Sequence, residues 1–156
     1  MTDRTQQVIL DGCFSNILPV TSGVPQGTVL GPLLFLCFVN NIPEYVSSKI
    51  RMYADDILIY KVIDTEDDCI KLQRDLHNLQ HWEDTWKMHF NPPKCQFIRF
   101  SNKQNLISFN YHIHNVTLEE VTNLKYFGVT IDRNLTWKEH VNIITNRANS
   151  VRGFLQ

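Results

Sequence analysis

The 156 residues are 43% hydrophobic and 20% charged, a balance that fits one ordinary globular domain and argues against a disordered chain. The longest apolar run, Leu33 to Val39, is far shorter than the ~18 residues of a membrane span, and no basic stretch precedes an apolar one near Met1, so neither a signal peptide nor a membrane partner is expected. Cys13, Cys37, Cys69 and Cys95 form no C-x-x-C pair, which speaks against a zinc site or a disulfide framework and for an intracellular protein. The formal net charge of −1 lends no bulk support to nucleic-acid binding, yet it is unevenly spread: 0 over residues 1–54, −6 over 55–84 and +5 over 85–156. The basic C-terminal surplus permits a nucleic-acid contact, and a solvated helix face explains it equally well.

In chain order, residues 4–20 read as two short extended segments joined by an Asp11-Gly12 turn. Ser22 to Gly27 is a loop shaped by Gly23, Pro25 and Gly27. A helix over roughly 32–41 follows, with Pro32 in its first turn and Pro43 beyond its end. It is apolar nearly all round (Leu33, Leu34, Phe35, Leu36, Phe38, Val39), which predicts burial on more than one side.

Two strand-like runs, Ile50 to Tyr53 and Ile57 to Tyr60, flank Ala54, Asp55 and Asp56. Neighbouring strand residues point to opposite faces, but a tight turn breaks that alternation and can aim two adjacent carboxylates into one space. Hard oxygen ligands so placed suit Mg²⁺, which prefers carboxylates with waters and substrate phosphates. Asp is equally an ordinary turn residue, and the tetrapeptide alone leaves both readings open.

Thr65 and Asp68 then make a capping-box start to the clearest helix, in which Cys69, Leu72, Leu76, Leu79, Trp82 and Trp86 recur at spacings of three and four. His77 and His81, four apart, lack a nearby third metal ligand. Phe90 to Cys95 breaks the helix and leads to a strand over Cys95 to Phe100. Strands are expected at about 106–113, 116–121 and 124–131, with Asn115 as a turn and His112 and His114 on one strand face. Thr136 with Glu139 predicts a second capping box, opening a helix striped by Trp137, Val141, Ile144, Ala148, Val151 and Leu155.

The segment Ser22-Gly23-Val24-Pro25-Gln26-Gly27-Thr28-Val29-Leu30-Gly31-Pro32-Leu33-Leu34-Phe35-Leu36, followed by Tyr53-Ala54-Asp55-Asp56, resembles motifs B and C of the reverse transcriptases of non-LTR (LINE or Jockey-like) retrotransposons. Trp86 to Cys95 is similar to motif D, and Leu124 to Asp132 to motif E, the primer grip. The resemblance implies an α+β fold: an incomplete polymerase palm, an antiparallel sheet with packed helices, over residues 1–121, then a primer-grip-like strand and the first thumb helix over 122–156. It implies RNA-directed DNA polymerase chemistry with Asp55 and Asp56 as catalytic ligands of Mg²⁺ (or Mn²⁺). Gln26, Gly27 and Lys94 are the implied nucleotide-binding residues. Tyr53, Tyr126, Gly128, Lys138 and Arg147 are the implied contacts to primer or duplex.

The implied partners are an RNA template, a DNA primer, dNTPs and the upstream fingers and palm segment of the same polymerase. The family's motif A contributes a further aspartate from a strand before motif B, whereas Asp3 and Asp11 are the acids ahead of Ser22 and neither sits in an apolar strand. A truncated element copy with an incidental Met1, inactive and marginally stable alone, is therefore expected. Three alternatives stand beside it: a group II intron maturase-type enzyme, a non-catalytic nucleic-acid-binding remnant using Lys125, Lys138, Arg147 and Arg152, and an inactive structural relic.

Overall fold

The computed structural model describes residues 3–21, 23–24, 27–103 and 105–154. The chain divides into two compact units, one comprising residues 1–41 and 52–57, the other residues 42–51 and 58–156.

In the first unit the N-terminal segment is a hairpin nested inside a second strand pair. β1 (Arg4–Gln6) lies antiparallel to β4 (Leu18–Val20), and β2 (Ile9–Leu10) pairs with β3 (Cys13–Phe14) inside them. Asp11 and Gly12 are both left-handed, φ 49° and 80°, so the expected turn is present in the mirror-image form that matches strand twist. Ser15 Oγ accepts from Val8 N–H at 3.0 Å and extends the inner pair by one contact.

α1 (Leu30–Val39) has Thr28 just ahead of it, whose Oγ1 accepts from Gly31 N–H at 3.1 Å. Burial on several sides is not observed. Gly31 and Val39 are buried, whereas Leu30, Leu33 and Leu36 are each more than half exposed. A helix apolar all round needs neighbours all round, and the rest of this unit consists of short strand pairs and a hairpin tip.

The second unit is organised on α2 (Glu66–Trp86), which buries Cys69, Leu76, Leu79 and Trp82 of the expected stripe, with Leu72 half-buried and Trp86, at the helix end, exposed. The capping box forms: the Asp68 carboxylate accepts from Thr65 N–H at 3.1 Å and Thr65 Oγ1 at 2.9 Å. Those bonds, the Thr65 hydroxyl foremost, hold the Asp68 carboxyl below its ordinary value. Lys87, left-handed at φ 55°, ends the helix with its N–H on Glu83 O at 2.8 Å.

Two charged residues of α2 are also buried, and each ties down another segment. Asp75, 1% exposed, accepts from the backbone N–H groups of Ser47 and Ser48, both at 2.8 Å, and from Ser47 Oγ, fixing the chain that follows the 3₁₀ turn Ile42–Tyr45. Burial by itself raises the Asp75 pKa, but the hydrogen bonds from Ser47 and Ser48 outweigh it and the net shift is downward. Glu83, fully buried, accepts from Phe90 N–H and lies 2.7 Å from His114 Nε2. Phe90 stacks on Trp82 with ring centroids 5.9 Å apart.

A single antiparallel sheet is not formed. Among the described residues the strands make six separate pairs, and one pair is parallel: β7 (Gln96–Ile98) with β10 (Glu119–Val121). β5 (Lys49–Tyr53) and β6 (Asp56–Tyr60) pair with each other. The run expected at 106–113 is a strand only at β8 (His112–Ile113), paired with β9 (Val116–Thr117). Gln73 caps the outer edge of β8: its side chain bonds both His112 N–H at 2.9 Å and His112 C=O at 2.8 Å, taking up the groups a further strand would use on that side. His114 sits in the β8–β9 turn with φ 51° and reaches Glu83, so the two histidines do not share a strand face.

β11 (Asn123–Tyr126) and β12 (Val129–Asp132) form an antiparallel hairpin whose turn residues, Phe127 and Gly128, are both left-handed. α3 (Lys138–Phe154) follows. The expected Thr136–Glu139 capping box is replaced by a different device. Thr136 donates its hydroxyl to Asp132 Oδ2 at 2.7 Å, and Asn134 N–H reaches Asp132 Oδ1 at 2.8 Å. The Thr136 hydroxyl is the main reason the Asp132 carboxyl is held below its ordinary value. The face of α3 nearest the hairpin carries His140 and Ile143, while Trp137, Val141, Ile144 and Val151 of the expected stripe are about half exposed. Leu155 lies outside the described residues.

Candidate active site

Two short strands carry the carboxylate pair, and burial alternates along the first of them. In β5, Ile50 and Met52 are half-buried and Lys49, Arg51 and Tyr53 exposed; in β6, Ile57, Leu58 and Ile59 are half-buried between exposed Asp56 and Tyr60. The Arg51 guanidinium lies 5.9 Å from the Tyr60 ring centre, a cross-strand contact near the open end of the hairpin. A two-residue connection, Ala54 and Asp55, closes the other end, with Ala54 left-handed at φ 49°.

Asp55 is thus in the turn, Asp56 is the first residue of β6, and Tyr53 is the last of β5. All three are exposed at one hairpin tip. Gathered there are two carboxylates and a phenol ring, hard anionic oxygens next to a flat apolar surface. Among the described residues no group of three or more His, Cys, Asp or Glu side chains is placed to hold a metal ion. A pair of carboxylates fits Mg²⁺ nonetheless, since that ion is commonly held by one or two carboxylates with waters and substrate phosphates.

The remaining residues singled out by the sequence fall as follows. Gln26 lies outside the described residues, and Gly27 is left-handed at φ 76° in the loop before α1. Lys94 ends the 3₁₀ turn Pro92–Lys94, exposed, with its backbone N–H on Asn91 O at 2.9 Å. That turn directly follows the segment that Glu83 and Trp82 hold against α2 through Phe90.

Tyr126 closes β11, half-buried, with its ring 3.8 Å from that of Phe127. Gly128 is a turn residue rather than a bulge, and a Cβ built on it meets nothing within 4 Å. Lys138 opens α3 and lines an open cleft of about 470 Å³ beside the β11–β12 hairpin, and Arg147 stands exposed on the same helix.

Arg133, half-buried, lines both that cleft and a second one of about 230 Å³. No motif marks it; only its place beside the Asp132 turn does.

Residues 4–131 match the family model described as reverse transcriptase (RNA-dependent DNA polymerase). The chain is 31% identical over 90% of its length to the RNA-directed DNA polymerase from mobile element jockey of Drosophila melanogaster. It is 32% identical over 88% of its length to the corresponding jockey protein of Drosophila funebris, and 31% identical over 82% to the probable RNA-directed DNA polymerase from transposon X-element of Drosophila melanogaster. The chain spans 15 to 16% of the length of these relatives. No solved structure gives a significant match.

Proposed function

The chain belongs to the reverse transcriptase (RNA-dependent DNA polymerase) family, and from that premise we propose that it is the palm and early thumb of a non-LTR retrotransposon polymerase that copies RNA into DNA. The observation that carries this reading is the exposed Tyr53-Ala54-Asp55-Asp56 tip, set on a two-residue turn within the matched region. Asp55 and Asp56 hold Mg²⁺ (or Mn²⁺). Such ions, when bound, neutralise charge on the attacking and leaving oxygens of nucleotidyl transfer.

The chain's own residues supply positioning, a large part of catalysis in a reaction with little covalent work for the protein. Tyr53 packs beside the primer end. Gln26 hydrogen-bonds the incoming dNTP, Gly27 keeps that approach open, and Lys94 sets a positive charge by the triphosphate. Tyr126 and Gly128 lie along the primer, and Lys138 and Arg147 face phosphates of the RNA template and DNA primer. The setting is intracellular.

Within these 156 residues the acids ahead of the motif B segment are Asp3 and Asp11, and Asp11 is spent on a left-handed turn. In this reading the metal pair takes a further carboxylate from palm and fingers of the same polymerase, and the 156 residues by themselves extend no primer. Primer extension on an RNA template with dNTPs and Mg²⁺ tests both halves. A version extended upstream through the missing carboxylate strand is active and loses activity on Asp55→Ala, while the 156 residues alone extend nothing. Extension by the short chain that disappears on Asp55→Ala refutes its inactivity; an extended version indifferent to Asp55→Ala refutes the site.

A further inference from the structure

The C-terminal half holds an arginine that its own fold leaves unanswered. Arg133 is half-buried, its backbone N–H fixed to Thr122 O at 2.9 Å, and its guanidinium has no ion-pair partner among the described residues. The neighbouring carboxylate, Asp132, is engaged by Thr136 and by Asn134 N–H. Five donors fixed in a plane beside a cleft are a demand for an acceptor from outside.

The smaller cleft, about 230 Å³, is lined by Phe100, Ser101, Asn102, Arg133, Asn134 and Leu135. Arg133 is its one charged side chain. Phe100 is half exposed at 49% and Leu135 at 53%, so an aromatic face and an apolar edge stand beside a guanidinium, two amides and a hydroxyl. Arg133 and Asn134 also line the larger cleft, where Lys138 stands together with Asp132 and Glu139. The Asp132 turn fixes the backbone from which both Arg133 and Asn134 project, so the order of the site does not depend on the ligand.

A flat face for a base, a fork for a phosphate and amides for sugar or base edges are the groups that grip single-stranded nucleic acid. A duplex, whose bases are stacked inside, offers nothing to Phe100. We propose that the Phe100–Arg133 cleft binds one nucleotide unit of a single-stranded nucleic acid, with the base against Phe100 and its phosphate on Arg133. The ligand class rests on the polymerase reading; the site makes no use of the carboxylate hairpin.

Fluorescence anisotropy with labelled 12-mer oligouridine and oligothymidine, in EDTA at several salt concentrations, tests it on the 156-residue chain. EDTA makes the readout indifferent to whether Asp55 and Asp56 catalyse anything. Arg133→Gln is expected to weaken binding about tenfold and to flatten the log–log salt slope by ~0.7. Phe100→Leu weakens it ~fivefold with the slope unchanged. Arg133→Lys keeps the slope, and circular dichroism of each variant matches the parent. Tighter binding of one oligomer assigns the strand as RNA or DNA. Failure of the parent to bind either, equal binding by Arg133→Gln and Phe100→Leu, or a duplex bound as tightly as the single strands overturns the proposal.

Discussion

α1 and α2 invert the usual relation between composition and burial. α1 is ten residues without a single charge, and Leu30, Leu33 and Leu36 stand largely in solvent. α2 carries charge along its whole length, yet it buries seven residues, two of them acidic. The difference is one of partners. α2 has one apolar stripe, and the unit folds onto it: Ile42, Tyr111, Ile113 and Leu118 are buried in the same unit, and Asp75, Glu83 and Gln73 bind backbone groups of three separate segments. Burial thus follows the presence of a matching surface, and a polar side chain that supplies hydrogen bonds can lie deeper than a leucine that has no neighbour.

Substitutions that break this contrast should rank by how much of the α2 core they remove. Trp82→Ala has the largest effect, a loss of about 4 kcal/mol in chemical denaturation, because it empties a fully buried site and frees Phe90. Asp75→Asn follows at about 3 kcal/mol, since two backbone donors lose a charged acceptor in the interior.

Asp75 also predicts a pH dependence. Its carboxyl in the folded state lies below the ordinary 3.8, so the unfolded chain takes up the proton first. Its stabilisation is fully present above that value and is lost as pH falls through the lower folded value. A midpoint-versus-pH series below about pH 4 should be flatter for Asp75→Asn than for the parent. Thr65→Ala removes the cap of the same helix and lowers stability by about 1 kcal/mol. Leu33→Ser, in α1, changes the unfolding free energy by no more than ~0.5 kcal/mol and reduces concentration-dependent light scattering, because it removes exposed apolar surface without opening a core. A loss comparable to that of Trp82→Ala at Leu33 would erase the contrast.

These differences also mark what can be read from residues alone. The α2 stripe, its Thr65 cap and the Asp11-Gly12 turn follow from local chemistry, and they stand in the fold where spacing and turn residues put them. Asp75 and Glu83 are invisible at that level: a charged residue on an amphipathic helix reads as surface until the backbone N–H groups of Ser47, Ser48 and Phe90 come to meet it. Gln73 is equally invisible: the strand expected at 106–113 is present only at His112–Ile113, and the outward backbone groups of His112 bond to this distant side chain. At the candidate site the carboxylate pair is legible as adjacent letters between two apolar runs. Arg133 is not, since nothing in Asp132-Arg133-Asn134 says that the carboxylate will be claimed by Thr136 and the guanidinium left over.

Only two residues, Ala54 and Asp55, join β5 to β6, and Ala54 is left-handed. Such a loop has almost no tolerance for a change in length. A slip of one residue in register moves every side chain of β6 to the opposite face and exchanges Asp56 for its neighbour. The left-handed position also discriminates by shape: glycine relieves it, while a β-branched residue is a steric outlier there. The two carboxylates are therefore indexed to the strands like teeth on a rack. Variation at this tip is confined to substitution, and at position 54 to small, unbranched side chains.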